Sequence, residues 1–229
     1  MDNIVYGLDP HDGSRRLVIA GNTAIGTRRK HGIIVSRGVS DSCVFENRAI
    51  GNAGTGIVID AASTDNIVAR NLAGANGGDG FSLFESARNL LWGNLAIGNR
   101  KSGLRIRNGW ALEIHRNAFV GNGYDGIEAY AEDLGPELEN RWRSAPELRL
   151  GLSLADNLFA GNLRSALNVR NPGRIDLSGV RRGANARPLR FGGDLRAWAE
   201  EIEAHLEPTG SVRIIGREGG AAARPDRDS

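Results

Sequence analysis

The chain has 229 residues, a formal net charge of +2 and 32 glycines. That length fits one elongated domain, and the near-neutral charge gives no reason to expect nucleic acid as a partner. A single cysteine excludes a disulfide framework, and no run reaches the roughly 18 apolar residues of a membrane span.

Three registers repeat along the first half. Asn recurs at Asn22, Asn47, Asn71, Asn94 and Asn117, in steps of 25, 24, 23 and 23 residues. Five residues on comes a Gly-Asn pair, at Gly51-Asn52, Gly98-Asn99 and Gly121-Asn122, with Gly26-Thr27 and Ala75-Asn76 as variants. A third glycine (Gly32, Gly56, Gly80, Gly103, Gly126) precedes a short alternating run such as Ile57-Val58-Ile59 or Leu104-Arg105-Ile106. Such runs, bounded by Gly and Asn, predict strands. Several short strands per fixed period predict a solenoid. Asn in equivalent turns suggests side chains bonded from rung to rung, and Gly supplies positive φ at the corners. The expectation is an all-β fold, a parallel β-helix with rungs of 23–25 residues.

In chain order, the N-terminus begins in mid-rung at Asp2-Asn3-Ile4-Val5-Tyr6-Gly7, without a signal peptide or cap. This reads as a fragment, a misassigned start or a remnant that has lost earlier rungs. After Tyr130 the next Asn equivalent is Asn157, 40 residues beyond Asn117. One rung plus an insertion of about 17 residues, within 131–147, accounts for that gap. Further rungs follow through Leu167-Asn168-Val169 and Ile175-Asp176-Leu177, so that the solenoid spans 1–182. Residues 183–216 read as a cap. A short helix over 194–206 is N-capped by Asp194 and carries a stripe of Leu195, Trp198, Ile202 and Leu206. The tail 217–229 reads as disordered. Cys43 reads as a buried small hydrophobe. His115 lies in a different strand from the face described next, and His205 in the capping helix; both read as structural.

Aligned on the third glycine, with Gly7 before Gly32, the rungs define outward columns. Two residues on are Asp9, Ile34, Val58, Ser82, Arg105 and Glu128. Four residues on are His11, Ser36, Asp60, Phe84, Arg107 and Tyr130, and one further are Asp12, Arg37, Ala61, Glu85 and Asn108. Immediately before the glycine stand Tyr6, His31, Thr55, Asp79, Ser102 and Asp125. Rungs about 4.8 Å apart match the length of a sugar ring. A ladder of His, carboxylate, cation and aromatic side chains at that spacing suits an extended anionic polysaccharide. Arg105 and Arg107 would pair carboxylates, Asp60 would bind substrate beside them, and Phe84 and Tyr130 would support sugar faces. No metal cluster is apparent. Asp79 and Asp125, in equivalent turns, leave a calcium dependence open.

The segments Tyr6-Gly7-Leu8-Asp9-Pro10-His11-Asp12, Gly26 to Arg37 and Leu91-Trp92-Gly93-Asn94 resemble the mannuronan C5-epimerases of the bacterial alginate-export pathway. The resemblance runs from about Tyr6 to Gly135. It implies a right-handed parallel β-helix, a periplasmic setting, alginate or polymannuronate as the polymer, other polysaccharide-export proteins as partners, and no cofactor. It implies inversion at C5 of mannuronate to give guluronate. A cation neutralises the carboxylate, a base takes the proton, and an acid returns one from the other face. The family's cation position holds Lys30 here. Asp9, Asp12 and Arg37 would bind and orient substrate. The family's catalytic His lies just upstream of the Asp-Pro-His-Asp segment, where this chain has Asp2-Asn3-Ile4-Val5. His11 or His31 would have to serve instead. Two other functions fit: a polysaccharide lyase, which shares the first half-reaction, and a non-catalytic polymer-binding β-helix.

Overall fold

In the computed structural model, the described residues are 3–132 and 150–170, together with the backbone of four later strands. Three strands make each rung. The first full rung is β1 (Val18–Ala20), β2 (Thr23–Ile25) and β3 (Ile33–Val35); the second is β4 (Cys43–Phe45), β5 (Arg48–Ile50) and β6 (Ile57–Ile59). The third is β7 (Ile67–Ala69), β8 (Leu72–Gly74) and β9 (Phe81–Phe84); the fourth is β10 (Leu90–Trp92), β11 (Leu95–Ile97) and β12 (Leu104–Arg107). The fifth is β13 (Leu112–His115), β14 (Ala118–Val120) and β15 (Ile127–Tyr130); the sixth is β16 (Gly151–Ala155), β17 (Leu158–Ala160) and β18 (Ser165–Arg170). The last is β19 (Arg174–Ser178), β20 (Arg181–Arg182) and β21 (Arg187–Phe191), and β22 (Val212–Ile215) returns antiparallel beside β19.

Corresponding strands stack in parallel into three sheets, the third ordered β21-β18-β15-β12-β9-β6-β3. A bridge from Leu8 to Ile33 extends this third sheet, so the segment from Tyr6 to Asp12 adds an outer rung to it. The chain is therefore a parallel β-helix, as the repeat predicts.

Alternation decides what is inside. Ile33, Val35, Ile57, Ile59, Phe81, Leu83, Leu104 and Ile106 from the third sheet meet Val44, Val68, Leu91 and Ile114 from the first in one continuous core. Cys43 corrects its expectation. Val44 takes the inward position of β4, so Cys43 is outward and half-buried.

The asparagines form hydrogen-bonded stacks. Asn71 donates from Nδ2 to Asn94 Oδ1 (3.0 Å), and Asn94 to Asn117 Oδ1 (2.9 Å). The second stack runs Asn52, Asn76, Asn99, Asn122 and Asn162. A third, not foreseen, joins Ser42, Asn66 and Asn89. Asn117 bonds directly to Asn157 (3.1 Å), so the first stack bridges the 40-residue gap without losing register. The additional residues therefore lie between β15 and β16; residues 133–149, which hold most of the expected insertion, are outside the described set.

The glycines divide by physical cause. Gly51, Gly98 and Gly121 have φ near +61°, as expected of corners. The third-register glycines do not. A Cβ on Gly80 would sit 2.7 Å from the Gly103 carbonyl oxygen and 2.8 Å from Ala96 Cβ. Glycine is needed there because successive rungs approach too closely for a side chain. The expected helix at 194–206 and the tail from 217 fall outside the described residues.

Candidate functional site

The outer face of the third sheet carries the columns predicted to hold the chemistry. Its centre is a floor rather than a crest. Ile34, Val58 and Ser82 point away from the core but are buried, while the side chains on either margin stand proud.

On one margin, His11, Asp12 and Arg37 come together. His11 Nδ1 lies 2.6 Å from Asp12 Oδ2, and Arg37 Nη1 donates to Asp12 Oδ1 at 3.3 Å. The Arg37 hydrogen bond, followed by that of His11, holds the Asp12 carboxyl below its ordinary value, so it is a carboxylate and an acceptor. His11 Nδ1 must then carry a hydrogen. In the neutral ring this leaves Nε2 with a free lone pair, the state of a general base. Asp12 and Arg37 both adopt the left-handed conformation, with φ of 58° and 60°. That turn ends the strand and sets both side chains at the sheet's margin.

The opposite margin holds Tyr6, Lys30 and His31. The rings of Tyr6 and His31 stack at 5.9 Å with an interplanar angle of 15°, and Lys30 Nζ donates to the Tyr6 hydroxyl at 3.3 Å. The Thr55 backbone N–H donates to His31 Nδ1 at 3.0 Å. Burial, then the Lys30 ammonium, lowers the His31 pKa, so the ring is neutral. With Nδ1 accepting, Nε2 carries the hydrogen. The two rings are thus oriented oppositely: His11 Nδ1 donates to Asp12, so that its neutral form offers an acceptor at Nε2, whereas His31 Nδ1 accepts and its Nε2 is a donor.

The His31 bond has equivalents along its column. Asp79 Oδ1 accepts from the Ser102 N–H at 2.9 Å, and Asp125 Oδ1 from the Ser165 N–H at 2.9 Å. These carboxylates satisfy backbone donors of the next rung, which is a structural use.

Further along the face the cations are internally matched. Arg107 makes two bonds to the buried Glu85, from Nε to Oε1 (2.7 Å) and from Nη2 to Oε2 (3.1 Å). Its guanidinium also covers the Phe84 ring at 4.9 Å. Arg105 lies 3.3 Å from Glu128 and 3.7 Å from Asp79. Arg170 pairs with Glu128 at 3.0 Å and lies over Tyr130 at 4.6 Å. Arg105 and Arg107, expected to meet substrate carboxylates, therefore meet protein carboxylates here. Phe84 and Tyr130 each have one face under a guanidinium.

Asp60 stands between these two regions. The Asp60 N–H donates to the Val35 carbonyl, placing it in the outward column beside Ser36, one rung from Phe84. Among the described residues it makes no ion pair. Burial, then the nearby Glu85 carboxylate, raises its pKa from 3.8 to about 6. Because the folded value exceeds the unfolded one, the favourable contribution is complete below about pH 3.8 and is lost as pH rises to about 6. The resulting penalty at neutral pH is about 3 kcal/mol at most. Asp60→Asn is expected to stabilise the fold by roughly 1–3 kcal/mol more at pH 7.5 than at pH 4, measured by urea unfolding.

The sequence reading missed Tyr6 as the centre of a cluster, although it shares a column with His31. It also missed Glu85 as the partner of Arg107. That pair is diagonal across rungs, 22 residues apart, and falls outside any single column.

The model of the family described as periplasmic copper-binding protein (NosD) matches residues 3–149. The chain belongs to this family. Its relatives include a mannuronan C5-epimerase of Pseudomonas aeruginosa, 46% identical over 77% of this chain and 32% of the relative. Another is the mannuronan C5-epimerase AlgG of Azotobacter vinelandii, 41% identical over 88% of this chain and 39% of the relative. The periplasmic alginate epimerase AlgG, as a T265N T268M double mutant, superposes with a TM-score of 0.69 at 35% identity, covering 84% of this chain and 43% of that one. The AlgE6 A-module of Azotobacter vinelandii shares the fold, with a TM-score of 0.64 at 18% identity over 82% of this chain and 58% of the module. This chain is a homologue of the mannuronan C5-epimerases and spans about a third of the length of the curated relatives it matches.

The NosD family description names copper. Among the described residues no three His, Cys, Asp or Glu side chains come together as metal ligands. The single cysteine is on the first sheet, and His115, on β13, is hydrogen-bonded at 3.5 Å to Ser153. These residues do not fit a copper site.

Proposed function

We propose that this face epimerises β-D-mannuronate to α-L-guluronate within an alginate-like polymer, in the periplasm and without a cofactor. The observation that carries the reading is the His11–Asp12 hydrogen bond of 2.6 Å, which leaves His11 Nε2 as an acceptor. The C5 hydrogen is α to a carboxylate, so its removal puts charge on that carboxylate. His11 Nε2 takes this proton and becomes imidazolium beside the Asp12 carboxylate. The Lys30 ammonium stabilises the charge on the substrate carboxylate. The Tyr6 hydroxyl, hydrogen-bonded to Lys30 on the opposite margin, returns a proton to the other face of C5. The exchange resets through solvent. Asp9 and Arg37 bind and orient the polymer. His31 contributes by stacking on Tyr6 and by presenting Nε2–H. Its Nδ1 is occupied, so it is a positioning residue rather than the base.

Lysis would use the same first step and then expel the 4-linked sugar. A purely binding role is favoured by one observation, the absence of a His from Asp2-Asn3-Ile4-Val5, where the epimerase resemblance implies the base. Product analysis separates all three. Guluronate signals in the proton NMR spectrum, without ultraviolet-absorbing unsaturated ends, are expected. Unsaturated ends would identify a lyase, and unchanged polymer that co-sediments with the protein would identify a binder.

A further inference from the structure

Asp60 is an unusual group on a face for polyanions. A carboxylate there would repel a uronate; among the described residues no cation pairs with it, and Arg107 offsets its charge only in part. The nearest candidate, Arg107, is held by both oxygens of Glu85, and Glu85 adds a second negative charge nearby. Its column neighbours are the Ser36 hydroxyl and the Phe84 ring, neither of which carries charge. His11 is two rungs away in the same column, about 10 Å along the stack. Asn at this position would remove the cost to folding. Carboxyls that are costly to the fold and lie on a working face are candidates for function.

We propose that Asp60 recognises the polymer as a neutral carboxylic acid, donating its O–H to an oxygen of a bound uronate. Protonated, it is a hydrogen-bond donor that an anion favours; ionised, it offers only acceptors and repels. Its position two rungs from His11 would make it a specificity group for the sugar two places along from the reacting one. This rests on the reading of the ligand as an anionic uronate polymer.

Linkage sets the expected result. Polymer uronates stay ionised above pH 5, so binding should take up a proton at Asp60 and weaken as pH rises. Calorimetric titration with a defined-length oligomannuronate is expected to show affinity on the order of tenfold tighter at pH 5 than at pH 7.5. Asp60→Asn, which keeps a neutral donor, should bind at pH 7.5 nearly as tightly as the wild type does at pH 5. Parallel wild-type and Asp60→Asn profiles would overturn the role of Asp60 while leaving the polymer reading intact. No binding by either protein at either pH would remove both.

Discussion

His11→Ala is expected to lower the rate of C5 proton exchange by about 10²–10⁴-fold, the range for loss of a general base. The side chain is 44% exposed and is not part of the hydrophobic core, so the variant's thermal unfolding should match the wild type. Asp12→Asn tests the orientation separately. An amide in place of the carboxylate no longer requires Nδ1–H, so Nε2 is free to carry the hydrogen instead and the base is disabled without removing the ring. Its effect should approach that of His11→Ala in rate and leave polymer affinity within a few-fold. Exchange that survives His11→Ala at near wild-type rate would assign the base elsewhere.

Asn94→Ala is expected to cost the fold about 3–5 kcal/mol. Asn94 Nδ2 donates to the Val68 carbonyl at 2.7 Å and to Asn117 Oδ1 at 2.9 Å. Its Oδ1 accepts from the Asn71 backbone N–H at 2.9 Å and from Asn71 Nδ2 at 3.0 Å. All of these groups are buried, so truncation removes four bonds out of reach of water; Asn117 Oδ1 keeps the Asn94 backbone N–H and Asn71 Nδ2 keeps the Val44 carbonyl, while the Asn71 backbone N–H loses its Asn94 acceptor. Asn22 provides the comparison. It begins the stack half-buried and donates onward to Asn47, with no described Asn before it. Asn22→Ala should cost only about 1 kcal/mol. Equal effects at both positions in urea unfolding would contradict the view that the stack acts through buried, mutually satisfied bonds.

The parts of the fold that repeat were legible. Each rung restates the same corner, so Asn71, Asn94 and Asn117 announce a stack, and Gly80 and Gly103 announce the close approach beside it. The Ser42-Asn66-Asn89 stack was missed because only two of its members are Asn, and Leu112 follows where the next would be. At the site, columns identified His11, Asp12, His31 and Arg37 as outward residues of neighbouring rungs, and the resemblance added Lys30. They could not give hydrogen-bond direction. The roles of His11 and His31 separate only once the Asp12 carboxylate and the Thr55 N–H are placed against their Nδ1 atoms. Charge matching was also hidden. Arg107 looked available in its column because Glu85 sits one column over and one rung back.

The stability and binding predictions meet at Asp60. A carboxyl that lowers fold stability when ionised and tightens polymer binding when protonated loses both as pH rises across the same interval. Asp60→Asn should gain in both at pH 7.5, which a purely structural carboxyl would not do.

The central claim is that the His11 and Tyr6 margins exchange the C5 proton of a bound mannuronate. The most direct test is proton NMR of polymannuronate incubated with the protein in D₂O. Deuterium at C5 of newly formed guluronate, lost in His11→Ala, is the predicted result. Polymer that binds but keeps its C5 hydrogen and its mannuronate configuration would contradict it.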